Sequence, residues 1–175
     1  MSIDLVDAIV RPSIPADCLT QVEVWLLRRS FTTRETRYYF NFSGCWTLND
    51  IHEGTTVSPD EELEKALAAS RQICPELCAA VEREIAKNGK INSASVDYEA
   101  IFQTIIRRHP NLLDHISIKR CYFNTRHRYF DEDFTLITAT AIESIGNHGT
   151  EIVHRSAPCE PEPCYIMPAN EEGFY

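Results

Sequence analysis

The first strong pattern along the chain is an alternation. In QVEVWLLRRSFTTRETRYYFNFSG, Val22, Val24 and Leu26 alternate with Glu23, Trp25 and Leu27, and Tyr38, Phe40 and Phe42 alternate with Arg37, Tyr39 and Asn41. A period of two belongs to a half-buried strand, so residues 21–42 read as a β-hairpin. Setting Val22 opposite Phe42 brings Val24 against Phe40, Leu26 against Tyr38 and Arg29 against Glu35. Opposed residues share a face, so this register gives one apolar side. Trp25, Leu27 and Tyr39 then fall on the outer side as an exposed apolar strip, a surface of the kind that marks a partner or a dimer contact.

Further on the period becomes helical. SPDEELEKALAASRQI predicts a helix over 59–73, with Ser58 as N-cap, Pro59 at the first helical position and Glu61 completing a capping box. Pro75 cannot sit inside a helix, so a second helix starts there and runs over 75–88. It buries Leu77, Val81 and Ile85 and ends at Asn88-Gly89. A third spans 96–109, turning Tyr98, Ile101, Phe102 and Ile105 inward, and Pro110 follows it.

A second alternation, HISIKRCYF and YFDEDFTLITATAIE around NTRHR, predicts a hairpin over 115–142. With Ile118 opposite Phe134, Ile116 meets Leu136, Arg120 meets Glu132 and Lys119 meets Asp133. A slip that set Ile118 against Asp133 and Ser117 against Phe134 is worse. Arg126, His127 and Arg128 are left at the tip without an acid. Beyond Ile145 the chain turns polar and Pro-rich, so EIVHR reads as a short edge strand at most and 156–175 as an irregular tail. The expected architecture is α+β: one domain over 1–155, with an antiparallel sheet built from two hairpins and three helices on one face.

Composition fits a globular chain. Of 175 residues, 43% are apolar and 25% charged, enough to form a core without a metal or disulfide. No run approaches the ~18 apolar residues of a membrane span. The start, MSIDLVDAIVRPS, has acids where a secretory signal has basic residues and an apolar core, so the expectation is an intracellular, cytoplasmic protein. Seven cysteines, five of them in or beside apolar runs, read as reduced thiols. Cys159 and Cys164 in the tail are the one pair open to oxidation.

The net charge of −9 argues against a broad basic coat for nucleic acid. That charge is unevenly spread: residues 28–37 carry +3, 107–128 carry +5 and 131–175 carry −8. Such segregation can steer a partner, unless folding interleaves the segments.

Motifs with a mechanism are few. The chain has no Gly-rich phosphate loop, H-E-x-x-H, G-x-S-x-G or paired C-x-x-C. Cys74 and Cys78 share a helix face, but a zinc site would need two more ligands from His148, His154, Cys159 or Cys164. Buried thiols at a helix junction account for the same pair. Asp131 and Asp133 project to one side of a strand and could hold a hard cation, yet Lys119 satisfies them more simply. No metal or cofactor is expected. His127 between two arginines suits either acid–base work beside a phosphate or a solvated turn. Tyr122, Phe123, Tyr129 and Phe130 have the composition of a base-stacking platform, although strand alternation buries two of the four.

The sequence therefore favours a small acidic protein-binding module, an inhibitor or adaptor of the compact kind that viruses and mobile elements encode, rather than an enzyme. Its expected partner-binding residues are Arg126, His127, Arg128, Arg34, Trp25 and Tyr39, and a homodimer is a further option. Two alternatives stand beside it. One is an enzyme or binder directed at RNA, DNA or nucleotides through the basic tip, and the other is an acidic mimic of nucleic acid.

Overall fold

A computed structural model describes residues 4–47, 54–124, 129–146 and 152–156. Its framework is an eight-stranded antiparallel sheet with four helices among the described residues, an α+β fold. The chain enters on β1 (Asp4–Arg11), continues through the short β2 (Ile14–Pro15) and turns into α1 (Gln21–Ser30). It returns as β3 (Thr32–Glu35) and β4 (Tyr39–Thr47). The two-residue strands β5 (Thr56–Val57) and β6 (Ile91–Asn92) pair with each other around α2 (Glu61–Ser70) and α3 (Pro75–Asn88). Then follow α4 (Tyr98–Arg108), β7 (His115–Asn124), β8 (Tyr129–Thr138), β9 (Ala141–Gly146) and β10 (Ile152–Ser156).

In the sheet, β10, β9, β8, β7, β1 and β4 lie side by side in that order. Ser43 of β4 pairs with both Ile9 and Thr32, and Phe40 with both Ile14 and Glu35. A strand has only two edges, so β1 and β2 flank β4 on one side and β3 on the other. Val6, Ala8, Val10, Phe40, Phe42, Ile116, Ile118 and Ile137 turn to the covered face and are buried there. Helices α1 and α4 lie on this face, α2 packs on α1, and α3 packs on α2. Phe102 of α4 sits at the centre with its ring 6.0 Å from Phe31 and 5.9 Å from Phe42.

Several elements match the sequence reading. α3 has the expected bounds, with Pro75 in its first turn and Gly89 at its C-cap in the left-handed conformation, φ 69°, which glycine adopts without Cβ strain. α4 falls within the expected 96–109, capped by Asp97, whose carboxylate accepts from the Ala100 N–H. Residues 152–156 do form an edge strand. Residues 157–175, expected as a tail, lie outside the described ones.

Other elements correct it. The first arm of the expected hairpin is α1, so Val24 does not face Phe40. The positions 22, 25, 26 and 27 are buried, a helical stripe that a period of two mimics over so short a run. Thr20 and Glu23 form a capping box that fixes the start of α1. The second arm, β4, pairs with 32–35 instead. Thr36 closes that turn by bonding both the N–H and the C=O of Tyr39. The helix expected over 59–73 opens two residues later. Its N-cap is Asp60 rather than Ser58, and the Asp60 carboxylate accepts from the Leu63 N–H at 2.7 Å.

The second hairpin forms but is shifted by one residue: Ile118 faces Thr135, not Phe134, and Ile116 faces Ile137, not Leu136. A one-residue shift turns a whole strand over. Thr135 and Ile137 therefore face inward, while Phe134 and Leu136 face outward.

A bare face on the sheet

Alternation along β1 assigns its two sides. Val6, Ala8 and Val10 point under the helices; Leu5, Asp7, Ile9 and Arg11 point the other way. The pairings carry this division across the sheet. One outer row runs Ser43, Ile9, Lys119, Phe134, Ile145. The row on one side of it runs Cys45, Asp7, Cys121, Glu132. On the other side, Arg11, Ser117, Leu136 and Glu143 lie in line. None of the four described helices covers this surface.

Its apolar side chains are left in water. Ile9 is 48%, Phe134 39% and Ile145 49% exposed, and Phe123, two positions along β7 from Cys121, is 37% exposed. They are four of the eight large exposed apolar residues among those described. Scattered singly such residues are ordinary, but Phe134 and Ile145 stand side by side, with Ile9 beyond Lys119 in the same row, and neighbouring exposed apolar groups are a feature of contact surfaces.

The charges of this face balance. Asp7, Glu132 and Glu143 stand against Arg11, Arg34 and Lys119 among the described side chains. Lys119 and Glu132 form an ion pair at 2.7 Å, which raises the lysine pKa chiefly through its hydrogen bond to that carboxylate. The Cys45 thiol is likewise held protonated by its hydrogen bond to Asp7 and by burial. On a chain of net charge −9, a face with no net charge and a central apolar row is distinctive.

The covered side carries its own polar clusters, and these are closed on themselves. Glu23 is fully buried, yet accepts from the Thr20 N–H and hydroxyl at 2.8 Å each and from both arms of the Arg108 guanidinium at 2.7 Å. That fork satisfies a buried carboxylate as only arginine can. At the rim of the core, Arg120 bonds Asp133, Glu99, Thr135 and the Tyr98 hydroxyl, and Tyr122 donates to Asp133 at 2.6 Å. Burial first, then the Asp133 carboxylate, pushes the Tyr122 pKa up. Burial likewise raises Tyr98. These phenols therefore hold their protons at neutral pH, which suits a structural lock rather than an acid–base pair.

The residues singled out in the sequence separate accordingly. Trp25 is 2% exposed and belongs to the core, its ring under the Arg29 guanidinium at 3.8 Å; Leu27 is buried as well. The expected strip beside them does not exist, because both sit on a helix. Arg34 is exposed on β3 opposite Asn41, and Tyr39 is half exposed at the start of β4. Both border the bare face. Arg126, His127 and Arg128 lie outside the described residues. Lys119 and Arg120 do have acid partners, but exchanged: Lys119 takes Glu132, and Arg120 takes Asp133 with Glu99.

Cys74 and Cys78 are both buried. The Cys74 thiol is near the Thr20 hydroxyl at 3.4 Å and the Cys78 thiol bonds the Leu67 carbonyl. Burial pushes Cys78 up to about 12. Among the described residues no three metal-binding side chains converge. No helix of the described residues is long and apolar enough to cross a membrane.

The residues that sequence reasoning missed are Ile9 and the outward Phe134 and Ile145. A signal for the strand that carries Ile9 was present, since DLVDAIVR is a short run rich in branched apolar residues. No known protein family, curated protein or solved structure matches the chain.

Proposed function

We propose that this protein is an interaction module that acts by holding another protein chain against the bare face of its sheet. One observation carries the reading: the row Ile9, Lys119, Phe134, Ile145 leaves large apolar side chains exposed on a charge-balanced surface. An antiparallel sheet can face water on one side, but it then shows polar residues there. Here the row crosses four adjacent strands and three of its four residues are apolar. Burying it would supply the apolar centre of an interface, while Arg11, Asp7, Glu132 and Glu143 supply a polar rim.

The test is a photo-crosslinker. Benzoylphenylalanine placed at position 134 should give a discrete protein adduct in the native cell. The same group at position 64, exposed on α2, should give none. The reading is overturned if position 134 yields no adduct, or if the two positions capture the same proteins.

A further inference from the structure

We infer that the occupant of the bare face is a second copy of this chain, related by a two-fold axis running along the strands between β7 and β8. This rests on the reading of the face as a protein-binding surface and names its partner. Rotation about such an axis keeps every row at its level and exchanges the strands, so β7 faces the second copy's β8 and β1 faces its β9. A two-fold interface must be self-complementary, each residue meeting the partner of its own partner.

The rows satisfy that condition. In the central row, Ile9 on β1 comes opposite Ile145 on β9 of the other copy, and Lys119 opposite Phe134. The first pair is apolar on apolar, and the second lays an ammonium and its stem over an aromatic ring. In the adjacent row, Arg11 on β1 comes opposite Glu143 on β9, and Ser117 opposite Leu136. Opposite charges meet, and they do so twice by symmetry. Within one copy, Arg11 and Glu143 are three strands apart, about 14 Å at ordinary strand spacing, too far to pair.

Charge and area agree. Two chains of net charge −9 repel, and the repulsion is least where the joining surfaces carry no net charge of their own. Six strands about the axis, β10, β9 and β8 on one side and β7, β1 and β4 on the other, span about 29 Å at ~4.8 Å spacing. The rows from Leu5 to Arg11 extend about 24 Å on β7 and β8 at ~3.4 Å per residue. β9 and β10 carry only the rows of Ile9 and Arg11, about 14 Å, so the strands facing them overlap over that length alone. That is roughly 500 Å² per copy, near the ~1,000 Å² in total that a specific interface needs. Aligned sheets of this kind pack face to face about 10 Å apart.

The experiment is sedimentation equilibrium of the full chain at micromolar concentration, with charge reversal across the axis. Wild type should be a dimer. Arg11→Glu and Glu143→Arg should each weaken it at least about tenfold, because each sets like charges opposite one another. The double variant should restore the wild-type affinity, which no contact within one copy could do. Circular dichroism checks that each variant is folded.

A dimer that ignores the single reversals, or that the double variant fails to restore, overturns the inference. A wild-type monomer overturns it too, and an apolar dye then separates the two readings. Dye bound by wild type and lost in the double variant Phe134→Thr, Ile145→Thr, in which threonine keeps strand propensity, leaves a face that binds a different protein. No dye binding removes the docking surface itself.

Discussion

The two faces of this sheet are built from the same strands and differ in almost every physical respect. Under the helices, Phe102, Ile116, Ile118 and Ile137 are buried, Glu23 and Arg108 form a fork, and Arg120, Glu99 and Asp133 form a cluster. On the other side, Ile9, Phe134 and Ile145 stand in water beside an exposed ion pair. Strand alternation alone would predict apolar inside and polar outside. The outer rows nevertheless keep isoleucine and phenylalanine, partly exposed. The first face holds the fold together; the second leaves apolar side chains at the surface.

The comparison breaks most directly if the two faces respond alike to truncation. Phe102→Ala should cost about 3–5 kcal/mol, the usual loss for a fully enclosed phenylalanine. Phe134→Ala, measured by urea unfolding at concentrations too low for association, should stay within about 0.5 kcal/mol. Equal shifts of the two midpoints would mean that the outer face is not bare.

Charges sharpen the same contrast. Glu23→Ala leaves the Arg108 guanidinium facing a cavity and should cost about 3–5 kcal/mol, as removal of one partner from a buried pair does. Arg120→Glu should fall in the same range, since it puts a third carboxylate beside Glu99 and Asp133. Lys119→Ala on the outer face, melted at a concentration too low for association, should leave the melting temperature unchanged, because an exposed pair gains little in water. Thermal melts at neutral pH and moderate salt decide all three.

A smaller effect should appear at alkaline pH. Cys78 is pushed from 9.0 up to about 12 by burial and by Cys74, and burial also raises Cys18, Cys74, Tyr98 and Tyr122. Each holds its proton more tightly in the folded chain than in the unfolded one. Their contribution is therefore complete below pH ~9 and declines as pH rises towards the folded values. The melting temperature should fall steadily above pH ~9, and Cys78→Ala should make the fall shallower. A flat alkaline limb in the wild type would show that the inner thiols and phenols are not enclosed.

The smallest effect is one of rate. At pH 8 and a concentration too low for association, Cys45, exposed on the outer face, should react with a thiol reagent while Cys18, Cys74 and Cys78 remain unmodified until the chain unfolds. Mass spectrometry of partially labelled protein distinguishes the sites. Early labelling of Cys78 would contradict the packing of α3 against α2.

Where signals were local, they were legible. Pro75 and Gly89 bracket α3 whatever surrounds it, because one lacks the N–H of a helix interior and the other accepts the left-handed turn. The stripe Tyr98, Ile101, Phe102, Ile105 and the Pro110 beyond it marked α4 in the same way. The segment 21–30 was ambiguous in itself: Val22 and Leu26 fit both periods, and only the box between Thr20 and Glu23 favours the helix locally. Burial of Glu23 then depends on Arg108, 85 residues away in the chain.

The hairpin over 115–138 shows the same boundary. Its existence follows from two alternating runs, but its register does not. Asp133 can turn inward, displacing Phe134 outward, because α4 supplies Tyr98 and Glu99 to complete the Arg120 cluster around it. A pairwise reading of two strands has no access to that helix. The bare face required still more: β1 becomes a central strand only when β4 and β7 close on both its edges. The class, the three helices α2, α3 and α4 and the presence of the second hairpin follow from local sequence, since these rest on backbone preferences within a few residues. The tertiary structure alone decided which side of each strand meets water, because that choice depends on what packs across the sheet.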